Sequence, residues 1–168
     1  MKKIKKVDKY PNMEEKKAKS FCLPDQNENK ICLKDLLKEE KDILLFFYPK
    51  DMTSGCTVES IDYSKAKKKL ENKNIKIYGV SKLGVKSKNK FIEKNNLKID
   101  LLSDEDLKIC DKYGVWREKN MYGKMVKGIA RETFLISWET GKIIKHWQKV
   151  KASEHVEEVL EFIKSIKK

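Results

Sequence analysis

The amino-acid sequence predicts a single α/β domain with a mixed central β-sheet and helices on both faces. Short apolar runs typical of buried strands alternate with amphipathic segments of helical period through the middle of the chain. Two further apolar runs near the C-terminus are separated by a Glu-Thr-Gly turn, which predicts a hairpin. The 168 residues suit one domain with a core of useful size.

The N-terminal part of the chain predicts a flexible basic arm and then a β-hairpin. Residues 1–18 are polar and rich in lysine, so we assign them to the arm and assign residues 19–168 to the domain. The segments 20–23 and 30–33 flank the turn-rich sequence PDQNEN, which predicts two antiparallel strands. A short helix over residues 34–40 follows.

The remaining elements follow from apolar runs and helical spacing. The predicted strands cover 43–48, 75–81, 99–102, 133–136 and 142–147, and the predicted helices cover 56–73, 87–95 and 105–113. A last amphipathic helix has Val156, Val159, Leu160 and Ile163 on one face, and Ser153 is its expected N-cap.

The charge of the chain is strongly positive. There are 39 basic and 26 acidic residues, which give a net charge of +13. Such a charge can attract nucleic acid or an anionic surface. Because lysine alternates with glutamate in many places, solvated helix faces are the simpler interpretation. The two basic termini, Lys2 to Lys6 and Lys164 to Lys168, are the candidates for weak nucleic-acid binding.

The sequence also predicts where the protein resides. No apolar run approaches the roughly 20 residues that a membrane span needs, so we expect no membrane association. The basic start of the chain is not followed by the apolar stretch of a secretory signal. We therefore expect an intracellular protein, in the cytoplasm by default, with a nucleus or an organelle as alternatives in a eukaryote.

The cysteine pattern bears on metal binding and on redox environment. Cys22, Cys32, Cys56 and Cys110 are widely and irregularly spaced, without a CxxC pair, and the two histidines do not complete a zinc pattern. We therefore expect no structural zinc. So few cysteines in a chain of this length do not suggest a secreted disulfide scaffold, so a reducing compartment is expected.

The most informative segment is FFYPKDMTSGC, which ends at Cys56. A buried strand is followed by a loop, and then by a pattern typical of a helix. A cysteine at such a junction lies where the helix dipole and free amides favour the thiolate. We therefore interpret Cys56 as a nucleophile. Cys110, in contrast, is expected to be a small buried apolar residue on a helix face.

This segment resembles the active-site signature of the peroxiredoxins, Pro49-x-x-x-Thr53-x-x-Cys56 with Arg131 in RETFLI downstream. The resemblance is closest to the peroxiredoxin Q branch, also called bacterioferritin comigratory proteins. The segments GVSxxxxxSxxxFxxK, LLSDED and YGVWxEKxMYGK extend it over nearly the whole chain from Phe21 onward. It implies a thioredoxin-like fold and reduction of hydroperoxides by a cysteine thiolate, with neither a metal nor an organic cofactor.

The resemblance implies a role for each matching residue, and each role has a physical basis. Cys56 attacks one peroxide oxygen, and Arg131 holds both thiolate and peroxide with its fixed donors. The Thr53 hydroxyl accepts from a peroxide oxygen and donates to the sulfur. Backbone amides around Gly55 and Cys56 stabilise developing negative charge, and Pro49 shields the thiolate. Glu59 also matches the pattern, and its expected role is to pair with a neighbouring cation.

The sequence departs from the peroxiredoxin pattern in two ways. Ser54 stands where the family most often has proline. The positions at which relatives carry a resolving cysteine hold Ile61 and Ile92. We therefore favour a one-cysteine cycle, in which thioredoxin, glutaredoxin or glutathione reduces the sulfenic acid of Cys56 directly.

An unconventional resolving cysteine is the alternative, and Cys22, Cys32 and Cys110 are the candidates. The predicted hairpin places Cys22 opposite Cys32, where we expect two buried thiols in preference to a disulfide.

Two other functions remain open from the sequence. A basic, nucleic-acid-associated protein would use the net charge, and a redox sensor would use the same Cys56. The absence of CxxC argues against a disulfide reductase. The sequence does not choose between hydrogen peroxide and organic hydroperoxides, and it is compatible with a monomer or a weak dimer.

Overall fold

The computed structural model of the protein describes residues 10–167. The strands are β1 (Cys22–Pro24), β2 (Lys30–Cys32), β3 (Asp42–Phe47), β4 (Ile75–Ser81), β5 (Asp100–Ser103), β6 (Trp116–Met121), β7 (Lys124–Ile129), β8 (Glu132–Ile136) and β9 (Ile143–Trp147). The helices are α1 (Leu33–Lys38), α2 (Ser54–Glu71), α3 (Val85–Asn95), α4 (Lys108–Lys112) and α5 (His155–Ile166).

Five of these strands form the central sheet, in the order β5-β4-β3-β8-β9. β3, β4 and β5 run parallel to one another, whereas β8 is antiparallel to β3 and β9 is antiparallel to β8. β1 and β2 form the expected antiparallel hairpin, with Cys22 opposite Cys32. The predicted α/β class, the mixed sheet and the N-terminal hairpin are confirmed.

The side chains of β3 alternate between two hydrophobic cores, one on each face of the sheet. Leu45 and Phe47 belong to the core that the hairpin, α1 and α4 cover. Leu44 and Phe46 belong to the core that α2, α3 and α5 cover. Every residue of β3 is buried, and from Ile43 onward the strand is the continuous apolar run that the sequence indicated.

Residues 10–18 of the predicted arm lie along the outer edge of β9. The amide of Glu15 donates to the carbonyl of Ile143, and the amide of Ala18 donates to that of Gly141, both at 2.9 Å. The rest of the predicted arm, including the basic segment 2–6, lies outside the described residues. At the other terminus, the ammonium of Lys167 pairs with Asp42 at 2.6 Å.

The structure differs from the sequence prediction in three elements. The antiparallel pair β6 and β7 was not predicted, because apolar and polar residues do not alternate along either strand and the first four residues of β7 are exposed. The helix expected over 105–113 begins only at Lys108, because the Asp104 carboxylate caps its first amides and Leu107 adopts a left-handed backbone conformation (φ 63°). Ser153 is not the cap of the last helix, since α5 begins at His155.

One further finding concerns membranes. Between residues 10 and 167, none of the helices has the length and apolar character required to cross a bilayer.

Candidate active site

Cys56 is the third residue of α2, directly after the loop that leaves β3. Pro49 opens this loop and is half-buried. Thr53 closes it with an extended backbone (φ −82°, ψ 155°), and its carbonyl accepts the first amide hydrogen bond of the helix, from Thr57 at 2.9 Å. The Cys56 side chain is 0% exposed and packs in the core beneath α2. The sequence-predicted junction of strand, loop and helix is therefore present.

Arg131 brings a cation to the sulfur of Cys56. It lies immediately before β8, the antiparallel neighbour of β3, so strand pairing carries it to the edge where the Cys56 loop begins. Its Nη2 donates to Cys56 Sγ at 3.4 Å, and its Nη1 donates to Glu59 Oε1 at 3.0 Å. The two donors of one planar guanidinium thus engage two residues on consecutive turns of α2.

Gly55 lies close to the Arg131 guanidinium. A Cβ at position 55 would lie 3.0 Å from Arg131 Nη2. The guanidinium, which donates to the sulfur of Cys56, would have to give way by a few tenths of an ångström to admit a side chain there. The sequence prediction assigned Gly55 an amide role; in the structure, its lack of a side chain also gives the guanidinium room.

Behind Arg131 lies a buried layer of titratable side chains. Burial raises the pKa of Glu59 from 4.5 to about 7, against the opposing effect of Arg131. Burial and the nearby charge of Arg131 lower the pKa of His155 to about 4, and one of its ring nitrogens lies 2.7 Å from Thr133 Oγ1. Glu59 Oε2 is buried without a hydrogen-bond partner. Protonation of this layer therefore changes the charge next to Arg131.

The structure places Thr53 near the site but not on the sulfur. Its hydroxyl donates to the carbonyl of Lys50 at 3.0 Å, and its side chain is exposed. The donation from Thr53 to Cys56 that the resemblance implied is not made in this conformation. The lone pairs of the hydroxyl remain available to accept a hydrogen bond from a peroxide.

The sequence analysis missed a buried ion pair beside the active-site loop. Lys88 of α3 pairs with Asp51 of the loop at 3.0 Å, and both side chains are 0% exposed. Tyr48, Ser81 and Ser87 donate to the same carboxylate. Spacing could have revealed this pair, because Lys88 lies one helical turn before the buried Phe91 and therefore on the same apolar face.

The other three cysteines lie across the sheet from Cys56. Cys22 and Cys32 are joined by a disulfide, Cys22 is exposed and Cys32 is half-buried. The expectation of two buried thiols was therefore wrong, because the register of β1 and β2 brings both cysteines to the same outward side of the hairpin. Cys110 is a free, fully buried thiol, as predicted, and burial raises its pKa.

The described residues offer no metal centre. Within residues 10–167, no group of three or more histidine, cysteine, aspartate or glutamate side chains is arranged to hold a metal ion.

Comparison with known proteins identifies this arrangement. Residues 15–146 match the AhpC/TSA family. The putative peroxiredoxin bcp of Coxiella burnetii is 43% identical over 144 residues, which are 86% of this chain and 93% of the relative. The peroxiredoxin Bcp of Bacillus subtilis is 43% identical over 126 residues, which are 75% of this chain and 80% of the relative.

Solved structures give the same result. A bacterioferritin comigratory protein of Xanthomonas campestris, studied for alkyl peroxide reduction, superposes with a TM-score of 0.81 at 36% identity, over 88% of this chain and 92% of that one. A peroxiredoxin Q of Xylella fastidiosa superposes with a TM-score of 0.82 at 34% identity, over 88% of this chain and 90% of that one. The thioredoxin-like fold that the resemblance implied is confirmed. The chain belongs to the AhpC/TSA family, among the peroxiredoxins of the Bcp or peroxiredoxin Q branch.

Proposed function

We propose that this peroxiredoxin reduces hydroperoxides through Cys56 alone and that an external thiol regenerates Cys56. The observation that supports this proposal is the bridge made by Arg131 between Cys56 Sγ and Glu59. It fixes a permanent cation at the one free cysteine that lies at a strand–loop–helix junction.

The chemical step follows from this geometry. The Cys56 thiolate attacks the terminal oxygen of the hydroperoxide, the O–O bond breaks, and Cys56 becomes a sulfenic acid. The departing oxygen takes a proton and leaves as water or an alcohol. Arg131 Nη2 lies within reach of the charge that moves from sulfur to the leaving oxygen, and the buried surroundings strengthen that interaction.

The substrate class we propose includes alkyl hydroperoxides as well as hydrogen peroxide. Met52 in the loop and Val58 on α2 are 43% and 42% exposed, and both lie within four residues of Cys56 in the sequence. Each offers apolar surface to an alkyl group. The reaction named for the Xanthomonas campestris relative, alkyl peroxide reduction, supports the same class.

Regeneration by an external thiol is supported by the positions of the other cysteines. Cys110 is buried in the core on the opposite face of the sheet, and burial raises the pKa of its thiol, which keeps it unreactive. Cys22 and Cys32 lie on the hairpin that covers the same opposite face. In the one-cysteine cycle, one thiol displaces water from the sulfenic acid, and a second thiol releases reduced Cys56 from the mixed disulfide.

The test is a variant in which Cys56 is the sole cysteine, with serine at positions 22, 32 and 110. We expect it to turn over hydrogen peroxide with thioredoxin, glutaredoxin or glutathione at nearly the wild-type rate, while Cys56→Ser is inactive. Intact mass after peroxide without thiol should show one added oxygen atom. Loss of turnover in the sole-cysteine variant, with wild-type folding by circular dichroism, would show that another cysteine resolves Cys56.

A further inference from the structure

The hairpin of β1 and β2 places a disulfide at the protein surface. Cys22 and Cys32 are direct partners in the antiparallel register, with their Cα atoms 4.0 Å apart. Cys22 is exposed and Cys32 is half-buried, whereas Cys56 and Cys110 are 0% exposed. A reductant that approaches the folded protein therefore reaches the disulfide from the side of Cys22.

The local charge favours cleavage of this disulfide. Lys30 and Lys34 are each two residues from Cys32 in the sequence, and both side chains are exposed. The nearest acidic neighbours in sequence are Asp25, which is buried and accepts hydrogen bonds from the amides of Asn27 and Asn29, and the exposed Asp35. Nearby cations stabilise a departing thiolate, and a more stable thiolate leaves faster.

The hairpin can lose the disulfide and stay in place. It is a separate two-stranded sheet, so its opening breaks no strand pairing of the central sheet. Leu23 of β1 and the flanking Phe21 and Leu33 are buried in the same core as the side chains of β3 and β8. Because apolar burial holds the hairpin against the sheet, its position does not depend on the covalent link.

The disulfide is also separated from the peroxide site. The hairpin covers one face of the central sheet, and Cys56 packs in the core on the other face. In the structure, Cys56 is a free thiol while Cys22 and Cys32 are oxidised. The two redox groups of the chain can therefore differ in oxidation state.

We propose that Cys22 and Cys32 form a second thiol–disulfide exchange centre, independent of Cys56, whose partners are proteins with a surface dithiol. A partner thiolate attacks Cys22 Sγ, the Cys22–Cys32 bond breaks, and Cys32 leaves as a thiolate that takes a proton. The second partner thiol then attacks the mixed disulfide and frees Cys22. The hairpin gains two electrons and two protons, and the partner dithiol becomes a disulfide.

A dithiol is the fitting partner because of the geometry of the hairpin. After the first attack, Cys32 stays opposite Cys22 on the neighbouring strand and can close the disulfide again. If the partner is a monothiol, Cys32 expels it before a second monothiol molecule arrives from solution. A dithiol carries its second thiol at high effective concentration and completes the exchange before the hairpin closes.

The test uses the double variant Cys56→Ser/Cys110→Ser, in which the hairpin holds the only cysteines. The oxidised variant is mixed with a CxxC protein of the thioredoxin type, or with glutathione at equal thiol concentration. Free thiols are then trapped with a maleimide, and the labels per chain are counted by intact-mass spectrometry. We expect two labels per chain without denaturant, appearing about 10-fold faster with the dithiol. Labels that appear only after denaturation, or equally fast with both reductants, would overturn the proposal.

Independence from Cys56 is tested with Cys22→Ser/Cys32→Ser. We expect its rate of peroxide turnover to match the wild type. In fully reduced wild type treated with one equivalent of peroxide, the hairpin should stay reduced while Cys56 gains oxygen. If the hairpin is oxidised rapidly, at a rate that does not change with protein concentration, then Cys56 passes its oxidation to the hairpin within one chain. That result would show that the two centres are not independent. Failure of Cys56 to react at all would refute the proposed peroxidase but would leave the maleimide result unchanged.

Discussion

The ammonium of Lys88 lies 3.0 Å from the carboxylate of Asp51, and neither side chain reaches solvent. Burial lowers the pKa of Lys88, while the attraction of Asp51 opposes that effect. Lys88 also donates to Ser81 at the end of β4. The pair therefore ties the loop before Cys56 to α3 and to the central sheet, the elements on which the loop position depends.

Replacing Lys88 with methionine keeps most of the side-chain volume and leaves the buried Asp51 carboxylate without its cation. We expect the free energy of unfolding to fall by about 3–5 kcal/mol, since an unpaired buried charge is costly. The kcat/KM for hydrogen peroxide should fall as well, because the loop that positions Cys56 loses its anchor. Urea unfolding and steady-state peroxide turnover measure the two effects.

Two control variants interpret this result. Lys90 lies on the exposed side of the same helix, so Lys90→Met should change neither the free energy of unfolding nor kcat/KM for hydrogen peroxide. Asp51→Asn/Lys88→Met removes both charges and should recover part of the lost stability. If the double variant is no more stable than Lys88→Met, the cost comes from packing and not from the unpaired carboxylate.

Gly55→Ala separates stability from activity. Alanine favours a helix more than glycine by up to about 1 kcal/mol, so the free energy of unfolding should hold or rise. The new Cβ would lie 3.0 Å from Arg131 Nη2, so the guanidinium must shift by a few tenths of an ångström. Because Nη2 donates to the Cys56 sulfur, we expect this shift to lower kcat/KM for peroxide about 10-fold. Ser54→Ala, at the exposed preceding position, is the matched control. Unchanged turnover in Gly55→Ala would show that the guanidinium tolerates the shift.

The sequence predicted the parts of the site whose chemistry depends on local order along the chain. The junction of apolar strand, loop and helix located Cys56, and strand pairing brings Arg131 to it as the resemblance implied. The pairing of Glu59 with a cation was also anticipated, and that cation is Arg131.

The sequence did not predict features that depend on tertiary packing. The spacing of Lys88 and Phe91 places that lysine on the apolar face of α3, but it does not name its partner, so the Asp51–Lys88 pair appears only when α3 packs against the loop. Apolar and polar residues do not alternate along β6 and β7, which left no strand period to detect. The exposure of Cys22 depends on which side of the hairpin faces the core.

Glu59→Gln tests the buried charge behind Arg131. Burial raises the pKa of Glu59 to about 7, so the folded protein keeps a proton that the unfolded chain loses near pH 4.5. The stabilising effect of this proton is complete below pH 4.5 and is lost as the pH rises through 7, at about 1.4 kcal/mol per unit of pKa difference. We expect the variant to lose less stability than wild type between pH 5 and pH 8, as measured by urea unfolding.

The same substitution should change the pH dependence of the reaction. Glutamine keeps an acceptor for Arg131 Nη1 but carries no charge, so the full cation acts on the sulfur of Cys56. We expect the pH at which kcat/KM for peroxide is half-maximal to fall relative to wild type. Glu157→Gln, on the exposed side of α5, should leave the profile unchanged. A half-maximal pH that stays or rises would mean that Glu59 acts by orienting Arg131 and not through its charge.

Arg131→Lys tests whether the two-sided geometry of the guanidinium matters beyond its charge. Arginine places Nη1 on Glu59 and Nη2 on Cys56 at once, 3.0 and 3.4 Å away. A lysine ammonium is a single point and must favour one of them, and the Glu59 carboxylate is the stronger acceptor. We expect kcat/KM for peroxide to fall about 100-fold or more, comparable to the loss of one charge-stabilising donor. Combining Arg131→Lys with Glu59→Gln should restore part of that rate, because the ammonium is then freed for the sulfur. A double variant as slow as the single one would show that lysine cannot reach Cys56 Sγ at all, and that the length and planarity of arginine set the requirement.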